Sequence, residues 1–337
     1  MHMSDALLSP AVAGTMFAAS AVATVCAARK VHKDSAETDR SAIPAMGVLA
    51  AFVFAAQMIN FSIPGTGSSG HLCGGMLLSA TLGPAAGFLS MIGVLLVQCF
   101  LFADGGVLAL GANVWNMAFY GCFLGGGVIW PLFVRKGATR GRIIAASVLG
   151  SVVTLQLGAL SVTLQTLASG ITDLPFGTFL KMMLPIHLAI GLVEGLVTAA
   201  VLVFLLETRP ALLHGVGDTG RKARLGLAPV LAIVAAAVLV TGGLLSLVAS
   251  GDPDGLEWSM EKVAGTAELE APGTSAHARA ERLQEKTSLL PDYAFADDEE
   301  NPVGTSVSGI VGSAIVLVLC AAVCLLLRAR KPRAAHA

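Results

Sequence analysis

Charge is scarce in this sequence: Asp, Glu, Lys and Arg make up 13% of its 337 residues, whereas 55% are hydrophobic, and mean hydropathy is +0.78. A water-soluble domain of that composition would have too much apolar surface to hide, so the chain belongs in a bilayer. The phosphate-binding pattern G-x-x-x-x-G-K-[ST] is missing; the glycine-rich run Gly65-Thr-Gly-Ser-Ser-Gly70 ends in His71 instead. The chain is therefore expected not to hydrolyse ATP, and any ATP-driven step falls to partners. A basic region ahead of the first apolar stretch is also lacking, which predicts a retained first helix rather than a cleaved signal. Paired cysteines in a polar region are missing too. The six cysteines, at 26, 73, 99, 122, 320 and 324, lie in or beside apolar stretches, which argues against a disulfide scaffold.

Apolar runs near 7–28, 43–62, 84–103, 107–134, 142–169, 178–206, 226–250 and 305–328 are each long enough to cross a bilayer, which takes about 20 residues. The net charge of −1 points to no polyanionic partner, but the signs are sorted by position. Basic residues cluster at Arg29, Lys30, Lys33 and Arg40; at Arg135, Lys136, Arg140 and Arg142; at Arg209, Arg221, Lys222 and Arg224; and at Arg328, Arg330, Lys331 and Arg333. The positive-inside rule places all four clusters in the cytoplasm. That assignment needs an even number of crossings between the first two clusters, so the shorter stretch 70–82 is expected to cross as well. Nine crossings put the N-terminus outside and the C-terminus inside a bacterial or archaeal cell membrane.

The fold class is an all-α integral membrane protein in two modules: a seven-helix bundle at 1–207 and, after a cytoplasmic linker at 208–225, a two-helix hairpin at 226–328, with a tail at 329–337. The hairpin carries an external insert at 251–304 with thirteen acidic against four basic residues. That acidity serves solubility or attracts cations to an external mouth. Gly47, Ala51 and Ala55 put small residues on one face of the second span, suited either to internal packing or to docking another membrane subunit.

Seven histidines are present. His32 and His214 fall in basic loops, His277 in the insert and His336 in the tail, leaving His2, His71 and His187. A free amine on Met1, the amide nitrogen of His2 and Nδ1 of the same imidazole can close fused five- and six-membered chelate rings around one metal. If His71 adds a fourth nitrogen, the site is square-planar N4, suited to Ni(II) or Cu(II) and open to low-spin Co(II). A histidine at the second position is also ordinary in itself. Gln57, Asn60, Gln98, Asp104, Asn113 and Asn116 follow near the outer ends of the spans; they line a pocket and orient ligands, or they cap and tie helices. His187 and Glu194, two helical turns apart on one face, are an intramembrane ionisable pair for which a structural tie is the preferred reading. A rival function, an intramembrane metallo-hydrolase using His71, His187 and Glu194, lacks any H-E-x-x-H spacing. A passive metal channel or sensor is a third.

Met-His-Met-Ser-Asp-Ala-Leu-Leu-Ser-Pro (1–10), Asn-Phe-Ser-Ile-Pro-Gly-Thr-Gly-Ser-Ser-Gly-His-Leu (60–72), Phe-Ala-Asp-Gly-Gly (102–106) and Gly-Ala-Asn-Val-Trp-Asn-Met (111–117) resemble the CbiM/NikM family, the metal-capturing membrane subunits of energy-coupling-factor cobalt and nickel importers. Pro253-Asp-Gly-Leu-Glu257 resembles the signature of the small CbiN/NikN accessory subunit, here fused behind the first module. The resemblance implies Co2+ or Ni2+ as transported substrate, no organic cofactor, and a metal held by Met1 through its amine, His2 through amide and imidazole, and His71 through imidazole. It also implies a transmembrane coupling protein and cytoplasmic ATPase subunits as partners. The opening turn departs from the commoner family pattern, with Ser4-Asp5-Ala6-Leu7 where Pro-Asp-Gly-Phe is usual.

Overall fold

The computed structural model describes residues 1–34, 42–216, 222–295 and 301–329. Arg40, Arg221, Arg330, Lys331, Arg333 and His336 lie outside the described residues, as do four of the acidic residues of the insert, Asp297 to Glu300. Helix α1 (Pro10–Asp34) is followed by α2 (Ala42–Gln57), a hairpin of β1 (Phe61–Ile63) and β2 (Ser68–Gly70), and a short α3 (Gly75–Leu82). Four long helices come next: α4 (Pro84–Leu101), α5 (Leu110–Val134), α6 (Arg140–Ser169) and α7 (Phe176–Thr208). The second module starts with α8 (Leu227–Val248), continues through α9 (Gly255–Ala264) and α10 (Ser275–Thr287) in the insert, and ends with α11 (Pro302–Ala329). Among the described residues seven helices are long and apolar enough to cross a membrane, and the protein is an all-α multi-pass membrane protein.

The stretch 70–82 returns the chain from the end of the bundle where Gln57 meets Gln98 to the end where the starts of α2 and α4 lie, as expected, but with a short helix. Its helical part has eight residues, about 12 Å at 1.5 Å per residue against a hydrocarbon core of about 30 Å. Glycines with left-handed φ bound it, Gly74 at 83° and Gly83 at 85°. The non-helical residues 71–74 supply the rest of the path, α3 is buried in the bundle, and near its far end Ala80 O accepts His214 N–H. A Cβ on Gly75 would lie 3.1 Å from Cα of Gly121 on α5, so the two backbones touch through a pair of glycines.

The small-residue face of α2 is the seam between the modules. Gly47 lies against Leu317 of α11, whose carbonyl oxygen would be 3.0 Å from a Cβ there. The carbonyl of Ala51 accepts a hydrogen bond from Ser313, and Ala55 sits where Gly242 of α8 and Gly309 of α11 meet. The surface that the sequence offers to a membrane partner is covered by helices of the same chain.

The insert folds back over the first module. Ser69 N–H donates to Pro253 O (2.8 Å), the indole N–H of Trp258 to Thr66 O (3.0 Å), and Gln284 to the carbonyls of Cys99 and Gly105 (3.0 and 2.8 Å). One ring nitrogen of His277 lies 3.0 Å from Leu8 O. Two glycines permit the close fit: a Cβ on Gly70 would stand 2.6 Å from Ile190 of α7, and one on Gly255 would stand 2.9 Å from the same side chain.

Candidate metal centre

The first nine residues form no long helix; they enter the bundle as a plug. Met3, Leu7 and Leu8 are fully buried, and residues Asp5–Leu7 make one 3-10 turn closed by Leu7 N–H on Ser4 O. That is the path of the unusual opening turn. Asn113 holds Met3 from both sides, its Oδ1 accepting from Met3 N–H at 2.7 Å and its Nδ2 donating to Met3 O at 3.1 Å. Gly106 N–H donates to the same carbonyl, and Ala109 N–H donates to the Asp5 carboxylate. A Cβ on Gly106 would fall 1.8 Å from the Asp5 carboxylate, so the loop at 103–107 has no room for a side chain there.

These anchors bring His2 against His71. The two imidazoles stack with centroids 5.4 Å apart and planes 18° from parallel. His2 Nδ1 lies 3.0 Å from Asp104 and Nε2 lies 3.2 Å from Gln98 Oε1. A row of amides fixes that orientation, Gln98 Nε2 donating to Gln57 Oε1 at 2.7 Å and Gln57 Nε2 to Cys73 O at 2.8 Å. Asp104 also accepts a hydrogen bond from the Tyr293 hydroxyl at 2.6 Å. Burial alone would raise the Asp104 pKa, but the charge and hydrogen bond of His2 outweigh it, and the carboxyl is held at about 2.

His71 follows β2 directly. Its Nδ1 faces Leu72 O at 3.0 Å, and because a carbonyl can only accept, the proton sits on Nδ1 and Nε2 presents its lone pair. Burial first, then the neighbouring ammonium and His2, push this imidazole down to about 4, so it is neutral at pH 7. Nε2 points toward Asp254 Oδ2, 3.9 Å away, and the same oxygen is paired with the α-ammonium of Met1. Burial opposes charge on both partners of that pair. The attraction wins in each direction, lifting the amine above its ordinary value and drawing Asp254 well below the usual carboxylate range.

Asp254 was not among the candidates drawn from the sequence. It caps α9, with Oδ1 accepting from Leu256 N–H (2.7 Å) and Glu257 N–H (3.0 Å), while the Glu257 carboxylate accepts from Asp254 N–H. Glu257 is pushed up to about 7, by burial and then by its acidic neighbour.

The remaining candidates sit around this centre. His187 lines a small cavity of about 20 Å³ together with Met1, His71, Cys73, Met117 and Asp254. Its Nδ1 is engaged with Met183 O at 2.8 Å, and its Nε2 is buried with no hydrogen-bond partner. Glu194 does not pair with His187. Both of its oxygens are taken by backbone N–H groups at the start of α3, Cys73 at 2.9 Å and Gly74 at 3.1 Å. That employment, favourable for an anion at a helix N-terminus, leaves it unsuited to act as a hydrolytic base. Asn60 lines a larger cavity of about 620 Å³ with His2, His71, Gln98, Asp104, Asp254 and Glu257, and its carbonyl accepts Ser250 N–H. Among the described residues no three His, Cys, Asp or Glu side chains are grouped closely enough to hold a metal ion by themselves.

Comparison with known proteins finds two separate family matches along the chain. A family model described as the cobalt uptake substrate-specific transmembrane region, CbiM, matches residues 2–212, and a PDGLE domain model matches residues 228–329. The chain is 31% identical over 343 residues to the fused nickel transport protein NikMN of Rhodobacter capsulatus, covering 94% of this chain and 95% of that one. It is 32% identical over 230 residues to the cobalt transport protein CbiM of Geobacter sulfurreducens, covering 65% of this chain and 64% of the relative. A crystal structure of a truncated transition metal transporter superposes with a TM-score of 0.53 at 33% identity, covering 61% of this chain and 99% of the other.

Proposed function

The chain belongs to the CbiM family of cobalt uptake transmembrane proteins, with a PDGLE domain in the same polypeptide, and from that premise we propose that it captures Co2+ or Ni2+ for an ATP-driven importer. The ion is substrate, held by four nitrogens: the Met1 amine, the His2 amide, His2 Nδ1 and His71 Nε2. The observation that carries this reading is the convergence of the Met1 amine and His71 Nε2 on one carboxylate oxygen, with the His2 ring stacked on His71. Two of the four donors already surround one point that prefers positive charge, and the third lies one residue away.

Binding proceeds by exchange. The amine and the His2 amide each give up a proton, and His2 Nδ1 exchanges the proton it shares with Asp104 for the metal, while Nε2 keeps its hold on Gln98. The large cavity, with Asp104, Asp254 and Glu257 on its wall, concentrates cations before the site. The N-terminus faces outward, the basic loops face the cytoplasm, and a transmembrane coupling subunit with cytoplasmic ATPases drives inward release. Calorimetric titration of the detergent-purified chain tests the site. The intact protein takes up Ni2+ and Co2+ in preference to Mg2+, and His71→Ala loses high-affinity uptake while remaining membrane-inserted; equal affinity in the variant removes His71 from the site.

A further inference from the structure

We infer that Asp254, from the second module, is a fifth ligand of the captured ion, adding an oxygen to the four nitrogens of the first module. The inference rests on the nitrogen site proposed above and deepens it. Asp254 Oδ2 is the atom on which two of the proposed donors converge, the Met1 amine in direct contact and His71 Nε2 at 3.9 Å. An ion that replaces the ammonium proton lands against this oxygen.

The carboxylate is held there by geometry. Oδ1 is consumed by the N–H groups of Leu256 and Glu257, so the group cannot turn away without uncapping α9. The turn that carries it is tied to the hairpin that carries His71, through Ser69 N–H on Pro253 O at 2.8 Å and the Ser69 hydroxyl on Asp252 O at 2.7 Å. Charge leads to the same place. A divalent ion bound by one deprotonated amide and three neutral nitrogens keeps a net positive charge, in a setting where the Asp254 side chain is only 16% exposed. One carboxylate cancels it, and a buried charge left unpaired is costly.

Ni(II) in a four-nitrogen plane is diamagnetic, whereas an added axial oxygen makes it five-coordinate and paramagnetic. The visible absorption spectrum and magnetic susceptibility of the Ni2+-loaded full-length protein therefore read the coordination number directly. The wild-type protein is expected to be paramagnetic. Asp254→Asn and Asp254→Ser both retain a capping oxygen for α9, and both are expected to turn diamagnetic and to bind Ni2+ more weakly by on the order of 10- to 100-fold, the usual loss when a group that touches or orients a metal ligand is removed. A diamagnetic wild-type complex overturns the inference whatever the variants do, and so do identical spectra in all three proteins. Loss of uptake in His71→Ala beside unchanged spectra in the Asp254 variants keeps the nitrogen site and rejects Asp254 alone; uptake that survives His71→Ala rejects both.

Discussion

Asp254 and Met1, 253 positions apart in sequence, form an ion pair that joins the second module to the chain start. In the metal-free protein this pair acts as a clasp. The pKa of Asp254 lies below its ordinary 3.8 and that of the amine above its ordinary 8.0. The contribution of the pair to docking is therefore present between those limits. It is lost as pH rises through the raised pKa of the amine, and again as pH falls through the lowered pKa of Asp254. Limited proteolysis of the insert without metal should be slowest near neutral pH and should accelerate at alkaline pH. Rates that stay flat up to the alkaline end contradict the clasp.

Metal uptake has the opposite pH dependence. Binding releases the amine proton, the His2 amide proton and the proton between His2 Nδ1 and Asp104, so below the raised pKa of the amine each pH unit upward should strengthen binding by about 100- to 1,000-fold, tenfold per proton released. Proton release measured by titrating in buffers of different ionisation enthalpy checks the count. A slope of a single proton excludes the amide or the amine from the site.

The Ile190 side chain stands between Gly70 and Gly255 and meets both backbones. Gly70→Ala or Gly255→Ala should destabilise the docked insert by about 1–3 kcal/mol, the usual cost of overpacking. Ile190→Ala should rescue Gly70→Ala, whose new Cβ would strike Ile190 atoms, and Gly255→Ala only in part, because a Cβ there also meets the His187 ring at 3.1 Å. Melting in detergent, followed on the single and double variants, measures the coupling; additive effects contradict the wedge.

The amide row Gln57–Gln98 sets which face of Gln98 meets His2. Gln98→Leu should weaken Ni2+ binding by about 10-fold by freeing the His2 ring, whereas Gln57→Leu should have a smaller effect, one residue further from the ring. Calorimetric titration of both variants tests that order; a larger loss in Gln57→Leu reverses it.

Much of this arrangement was legible in the sequence because its causes are local. Long apolar runs marked the spans, and the small residues at 47, 51 and 55 marked the face that receives α8 and α11. The sequence also singled out Met1, His2, His71, Gln98, Asp104 and Asn113, which the fold brings into one neighbourhood: His2 stacks on His71 and touches Gln98 and Asp104, and Asn113 holds Met3. The ends of the short α3 were not legible, because hydropathy does not report that Gly74 and Gly83 adopt left-handed φ. Glu194 shares a helical face with His187 by spacing, yet its carboxylate turns to the N–H groups of Cys73 and Gly74 on another element. His277 and Asp254 were hidden for a similar reason. Both sit in an acidic insert with every local sign of a solvated segment, and both act across more than 250 positions, on Leu8 and Met1.

The most direct test of the nitrogen site is a Ni2+ and Co2+ titration of the purified protein with a free Met1 amine, beside the same protein extended by two residues ahead of Met1. The extension moves the amine away from His2 and from Asp254, and changes no residue of His71, Asp254 or the membrane helices. High-affinity binding that disappears on extension is the predicted result. Binding of equal affinity in both proteins contradicts the amino-terminal chelate and redirects the search to the cavity around His187.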